Sequence, residues 1–130
     1  MMTIQLYHAK GLSHLGQNQY EQALVVFDKA RALCDATVNM ALKATILSNL
    51  VHVYDYLAAP QSSIQYIKQY IELAAIQVPY DSLSWSAGQF NLAMTYVELY
   101  MKDTTAVYLD TVLLCLNTII PYYKNNENYK

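Results

Sequence analysis

Three histidines, two cysteines and ten acidic residues are the first groups in this chain to weigh for acid–base, nucleophilic or metal chemistry. His52 and Asp55 stand three residues apart, close enough on one helix to hydrogen-bond. A catalytic dyad also needs a nucleophile and an oxyanion hole. The sequence supplies neither: it has no Gly-x-Ser-x-Gly elbow and no glycine-rich phosphate loop. His8, His14 and His52 form no His-x-x-x-His pair, and Cys34 and Cys115 form no Cys-x-x-Cys. We therefore expect no enzyme, with no catalytic residue, no metal site and no cofactor. A single long-range disulfide between the cysteines is one reading. Each lies inside an apolar helical pattern, so the reading adopted is two buried thiols in a reducing cytosol.

What remains is recognition chemistry. Hydrophobic residues make up 55% of the 130 and charged residues 14%, against a usual ~25%. That balance excludes a disordered, charge-rich chain. The length predicts one domain, and the balance points to some apolar surface meant for another protein. The formal charge is −2, and Arg31 and the seven lysines are scattered, so no nucleic-acid contact is expected. The start of the chain does not read as a signal peptide. The apolar run from Val107 to Ile120 is broken by Asp110 and too short to span a bilayer, so no membrane partner is expected. The expected location is cytoplasmic.

The elements that must position such a surface are helical. Apolar residues recur at three- and four-residue spacing, and sustained alternation is absent. Breakers predict six helices, at about 2–16, 20–34, 38–58, 61–77, 82–101 and 104–120. Gly16-Gln17-Asn18 ends the first, because Gly and Asn tolerate the left-handed conformation. Thr37 caps the third, and Pro60 suits the first turn of the fourth. Pro79-Tyr80-Asp81-Ser82 is the longest polar break, with Asp81 or Ser82 as cap. Asp103 is expected to cap the sixth helix and Pro121 to close it. Residues 124–130 form a polar tail.

The pairs of helices repeat. Asn49-Leu50-Val51-His52-Val53-Tyr54 returns as Asn91-Leu92-Ala93-Met94-Thr95-Tyr96, 42 residues later. Aligning His14, Tyr54 and Tyr96 aligns the rest without gaps. Gly11, Val51 and Ala93 fall in one column, and Ala23, Ser63 and Thr105, all small, in another. Phe27, Ile67 and Leu109, all large, make a third, and Ala30, Tyr70 and Val112 a fourth. Small residues let paired helices approach, and large ones fill the space beside them.

Tyr7, Gly11, His14, Tyr20, Ala23, Phe27 and Ala30 fall at the spacings of the tetratricopeptide repeat, and the chain resembles that family over residues 4–120. It departs from the motif at Pro60 and Lys102, which replace a tyrosine. Its repeat spacing of 40 and 42 residues also exceeds the family's usual length of about 34. The resemblance implies an all-α fold of six antiparallel helices in three hairpins, about 2–34, 38–77 and 82–120. These would form a short right-handed α-solenoid in a single domain, 1–123.

The longer, degenerate repeats look like the peptide-sensing domains of Gram-positive bacterial regulators. There, asparagines on inner helices hold the backbone of an extended peptide. Asn49 and Asn91 occupy that place here, and the first hairpin has Ala9. The helix-turn-helix of that family is not in this sequence, which leaves a sensor fragment or a different protein on the same scaffold.

On that frame the first helix of each hairpin lines a concave groove. An asparagine amide donates to one peptide group and accepts from another, regardless of side-chain identity. Asn49 and Asn91 would hold the backbone of an extended peptide or partner segment, or would simply solvate a helix face. His8, His52, Asp55, Tyr56, Phe90, Met94 and Glu98 would select side chains. Asp55 and Glu98, without clustered lysines, argue against a clamp for carboxylate termini.

The last helix reads as apolar on nearly all sides. Tyr108, Val112, Leu113, Leu116 and Ile120 are expected to pack on a second copy or on a continuation of the chain. The alternative function is therefore homodimeric assembly through this helix.

Overall fold

The first helix begins where its orphan N–H groups find an acceptor. The Thr3 hydroxyl accepts from the Leu6 amide at 3.2 Å, and α1 follows as Ile4–Gly16. The computed structural model describes residues 3–35, 40–76 and 82–126. Over these, five more helices follow: α2 (Tyr20–Asp35), α3 (Met40–Tyr56), α4 (Pro60–Ile76), α5 (Ser82–Lys102) and α6 (Ala106–Asn126). No strand occurs among the described residues, and the chain is all-α. The Thr37 cap, the break at Pro79, Tyr80 and Asp81, and residues 127–130 lie outside the described residues.

Two of the turns are built alike. Asn18 and Ala58, 40 residues apart, both adopt the left-handed conformation, at φ 58° and 53°. In the first turn the Gln19 amide donates to the His14 carbonyl at 2.9 Å. In the second the Ala59 amide donates to the Tyr54 carbonyl, also at 2.9 Å. Asn18 bonds back to Leu15 at 3.0 Å and Ala58 to Asp55 at 3.1 Å. Each turn thus satisfies carbonyls that a helix end leaves open. Gly16 stays helical, so Asn18 alone supplies the left-handed residue of its turn. Pro60 opens α4, where its missing N–H costs nothing.

The chain divides into two compact units, Met1–Tyr66 and Ile67–Lys130, with the boundary inside α4. In the first, α1 packs on α2 and α2 on α3. Its core is Ala23, Phe27, Ala30, Cys34, Ile46, Leu50 and Val53, bordered by Tyr7, Tyr20, Tyr54 and Tyr66. A Cβ on Gly11 would sit 2.6 Å from Cδ1 and 2.8 Å from Cζ of the Phe27 ring. The glycine is what admits that ring. Ser63 is also buried, and its hydroxyl donates to the Asp55 carboxylate at 2.8 Å, so α4 is tied to α3.

In the second unit α5 packs on α6. Leu92, Ala93, Leu99, Val112, Cys115 and Ile119 are buried there. Ser86 and Thr95 are buried with them. Each donates its hydroxyl to a carbonyl of its own helix, Leu83 at 3.1 Å and Asn91 at 2.9 Å. Cys34 and Cys115 are buried thiols, one in each unit. No helix among the described residues is long and apolar enough to cross a membrane.

The sixth helix departs from expectation at both ends. It starts at Ala106, after a short link in which the Thr105 hydroxyl donates to the Asp103 carboxylate at 2.7 Å. Asp103 therefore holds the link and does not cap the helix. At the other end α6 runs through Pro121 to Asn126. Proline keeps a helical φ and forfeits one hydrogen bond, to the carbonyl of Asn117. Asn117 is exposed, so water can take that carbonyl.

The columns divide too. Gly11, Val51 and Ala93 are all buried, as are Ala23 and Ser63, but Thr105 is exposed. Phe27 and Ile67 are buried, whereas Leu109 is 41% exposed. On α6 the inward positions are Tyr108, Val112, Cys115 and Ile119. Their spacing matches Ala23, Phe27, Ala30 and Cys34 on α2, three residues later than the alignment expects. Most of a helical turn separates the two registers, and the lengthened link between α5 and α6 absorbs it.

Gly11→Ala should destabilise the protein by about 1–3 kcal/mol, because Phe27 is fully buried and cannot step aside. Gly16→Ala, with nothing within 4 Å, should stabilise by about 0.5–1 kcal/mol through helix propensity. Urea unfolding of both variants checks the pair; equal effects would contradict the role given to Gly11. Ala58→Asn, which matches Asn18, should gain roughly 0.5–1 kcal/mol, because alanine is strained in the left-handed region. An unchanged or lower midpoint in the same assay counts against it.

Candidate functional site

In the first unit the candidate residues lie on α1 and α3. The structure joins two of them: the Asn49 amide nitrogen donates to Nε2 of His8 at 2.8 Å, linking α3 to α1. An amide NH₂ can only donate, so Nε2 accepts and the proton of the neutral ring sits on Nδ1. The ring also tilts against Phe27, with centroids 6.0 Å apart. Burial pushes the His8 pKa below its ordinary 6.5, which favours this neutral form. Asn49 keeps one N–H and its carbonyl oxygen for another partner.

His52 and Asp55 are both exposed, but no dyad forms between them. The Asp55 carboxylate receives the Ser63 hydroxyl, one turn into α4. Tyr56 is 65% exposed at the end of α3 and stacks on Tyr20, with centroids 4.9 Å apart and planes 11° from parallel. Its face is thereby fixed while its edge meets solvent. Among the described residues no three His, Cys, Asp or Glu side chains are grouped to hold a metal ion.

In the second unit the candidates Phe90, Asn91, Met94 and Glu98 are all exposed on α5. Phe90 is 46% and Met94 47% exposed. Two further residues extend their line: Leu83 and Met101, at 71% and 75% exposed, the barest large apolar side chains described on this helix. With Ala87 they form one stripe, at positions 83, 87, 90, 94 and 101, within about 60° of the helix surface. Asn91 and Glu98 border it on one side. The stripe is about 27 Å long at 1.5 Å per residue. Sequence reasoning stopped at the middle turns, although the same three- and four-residue spacing continues to Leu83 and Met101.

The α6 candidates divide. Tyr108 is half-buried and tilts against Tyr96, centroids 6.1 Å apart. Val112, 6% exposed, belongs to the packing within the unit and is no surface residue. Leu113 and Ile120 are 51% and 46% exposed, and Leu116 is half-buried. Leu109 is open beside them, at 41% exposed. Burial pushes the Cys115 thiol up against a smaller opposing effect of Lys68, which makes it a poor nucleophile. No family model matches the chain, and neither curated proteins nor solved structures give a match.

The His8–Asn49 contact has a pH signature. A folded-state pKa below the ordinary value means that the unfolded chain binds the proton better. The contribution of His8 is therefore present above pH 6.5 and is lost as pH falls through the lowered folded value. Asn49 can rotate its amide and offer oxygen to a protonated ring, so the loss reflects desolvation rather than a broken bond. We expect the His8 ring protons to titrate below 6.5 by NMR, assigned with His8→Gln. That variant should lose part of the fall in thermal midpoint between pH 7 and 5. A His8 midpoint at or above 6.5 would contradict the burial argument.

Proposed function

We propose that the chain is a non-enzymatic binding module on a tetratricopeptide-like scaffold. Six antiparallel helices in three hairpins make a short right-handed α-solenoid, and the first helices of the hairpins take an extended peptide or partner segment. The setting is regulatory or sensory, and cytoplasmic. Two turns of the same construction, 40 residues apart, support the repeat.

The observation that carries the binding reading is the α5 stripe. Leu83, Phe90, Met94 and Met101 stand open to water along one helix face, bordered by an amide and a carboxylate. A monomer gains nothing by exposing such a line. Methionine is unbranched and polarizable, so it adapts to varied apolar side chains. Asn91 can hold a peptide group whatever side chain follows it. On the first unit Asn49 offers the same chemistry, with His8 fixing its orientation. His52 and Tyr56, exposed along α3, would read side chains there.

The test uses a random peptide library displayed against the immobilised chain, with each unit's face scored separately. Affinities of the selected peptides are then measured by fluorescence polarisation. Asn91→Ala should weaken all peptides held on α5 by roughly tenfold, the worth of one or two hydrogen bonds. Asn49→Ala should act likewise on those held on α3. Phe90→Ala and Met94→Ala should instead weaken peptides selectively, according to sequence. Circular dichroism confirms that each variant stays helical. Peptides that bind all four variants as well as the parent would defeat the reading.

A further inference from the structure

A second apolar line runs along α6. Leu109, Leu113, Leu116 and Ile120 follow at spacings of four, three and four residues. That is the narrow seam of a helix pair, within about 60° of the helix surface. Leu109, Leu113 and Ile120 are 41%, 51% and 46% exposed, and Leu116 is half-buried. The seam adjoins the inward positions Val112 and Ile119, which are buried within the unit.

We propose that this seam pairs with the α6 seam of a second copy of the chain, antiparallel, about a two-fold axis at its midpoint. A spacing of four, three and four reads the same in both directions. A half-turn therefore sets Leu109 against Ile120 of the other copy and Leu113 against its Leu116. A two-fold interface requires such self-complementarity.

Charge favours the same arrangement. Between Ala106 and Pro121 the one charged residue is Asp110, beside the seam. In the antiparallel pair the two Asp110 carboxylates lie about 14 Å apart along the axis. That exceeds the screening length of about 8 Å in physiological salt. A parallel pair would set them at one height. The four seam side chains with the flanking Ala106 and Asn117 would bury somewhat under about 1,000 Å² in two copies, the low end for a specific interface. The association is then weak and concentration-dependent. It uses a different helix from the peptide reading and does not rest on it.

Sedimentation equilibrium of the whole chain over a hundredfold range of concentration tests the proposal. The parent chain should pass from monomer to dimer. Leu113→Glu should raise the dissociation constant at least a hundredfold, with Leu109→Glu as the second variant should the first lose helicity. Leu114→Glu is the control: Leu114 is 68% exposed but lies about 100° around the helix from Leu113, off the seam. It should leave the dimer intact. Chains with Leu113→Cys mixed with chains with Leu116→Cys should cross-link faster than either alone. A parent chain that stays monomeric overturns the proposal, as does a dimer that survives both seam variants. Equal weakening by Leu114→Glu would mean unspecific apolar association and overturn it as well. Faster cross-linking within the Leu113→Cys chains than in the mixture would overturn the antiparallel arrangement.

Discussion

The first unit depends on one close approach, that of the Phe27 ring to Gly11. No side chain on α1 at this position leaves room for the ring, and the ring is wholly buried once there. The His8 imidazole, on the same helix as Gly11, tilts against Phe27. Its Nε2 then receives the Asn49 amide from α3. A core glycine thus reaches a candidate binding residue in three contacts: the glycine admits the ring, the ring supports the imidazole, and the imidazole orients the amide. The orientation of Asn49 is in this sense a property of the core.

Much of the helical framework was legible before the structure, and for local reasons. Asn18 and Pro60 act through their own backbone preferences, so the helix boundaries they mark needed no tertiary information. Ala58 is the instructive exception. Alanine carries no left-handed signal, yet it repeats the conformation of Asn18. Its turn is imposed by the helices on either side, and the strain falls on one residue. Pro121 errs the other way. Proline is a stop signal because it removes a hydrogen bond, but the loss falls at an exposed position and α6 continues past it.

The candidate site was legible in its residue types and less so in its pairings. His8 and Asn49 are 41 positions apart, and no local rule links them. His52 and Asp55 are three apart on one helix, and the carboxylate is taken by Ser63 instead. Spacing along a helix shows which residues share a face. It does not show which of them a neighbouring helix engages first. Val112 and Leu113 carry the same lesson. Both are aliphatic, and one step along α6 separates a core residue from a surface one. An apolar-all-round helix hides its own phase, and only the packing against α5 reveals it.

The second unit exposes two apolar lines, and their chemistry differs in a way that matches the two uses proposed for them. The α5 stripe mixes phenylalanine and methionine with an amide and a carboxylate at its edge. Flexible thioethers adapt to a partner and specify little by themselves, so the polar border must set direction. The α6 seam is leucine and isoleucine with no polar atom among its four side chains. Branched aliphatics have few rotamers and interlock in fixed register. An adaptable surface suits a partner whose sequence varies, and an interlocking one suits a partner that is always the same. A second copy of the chain is such a partner. The shortage of charge in this sequence is matched by two exposed apolar lines of different character on neighbouring helices.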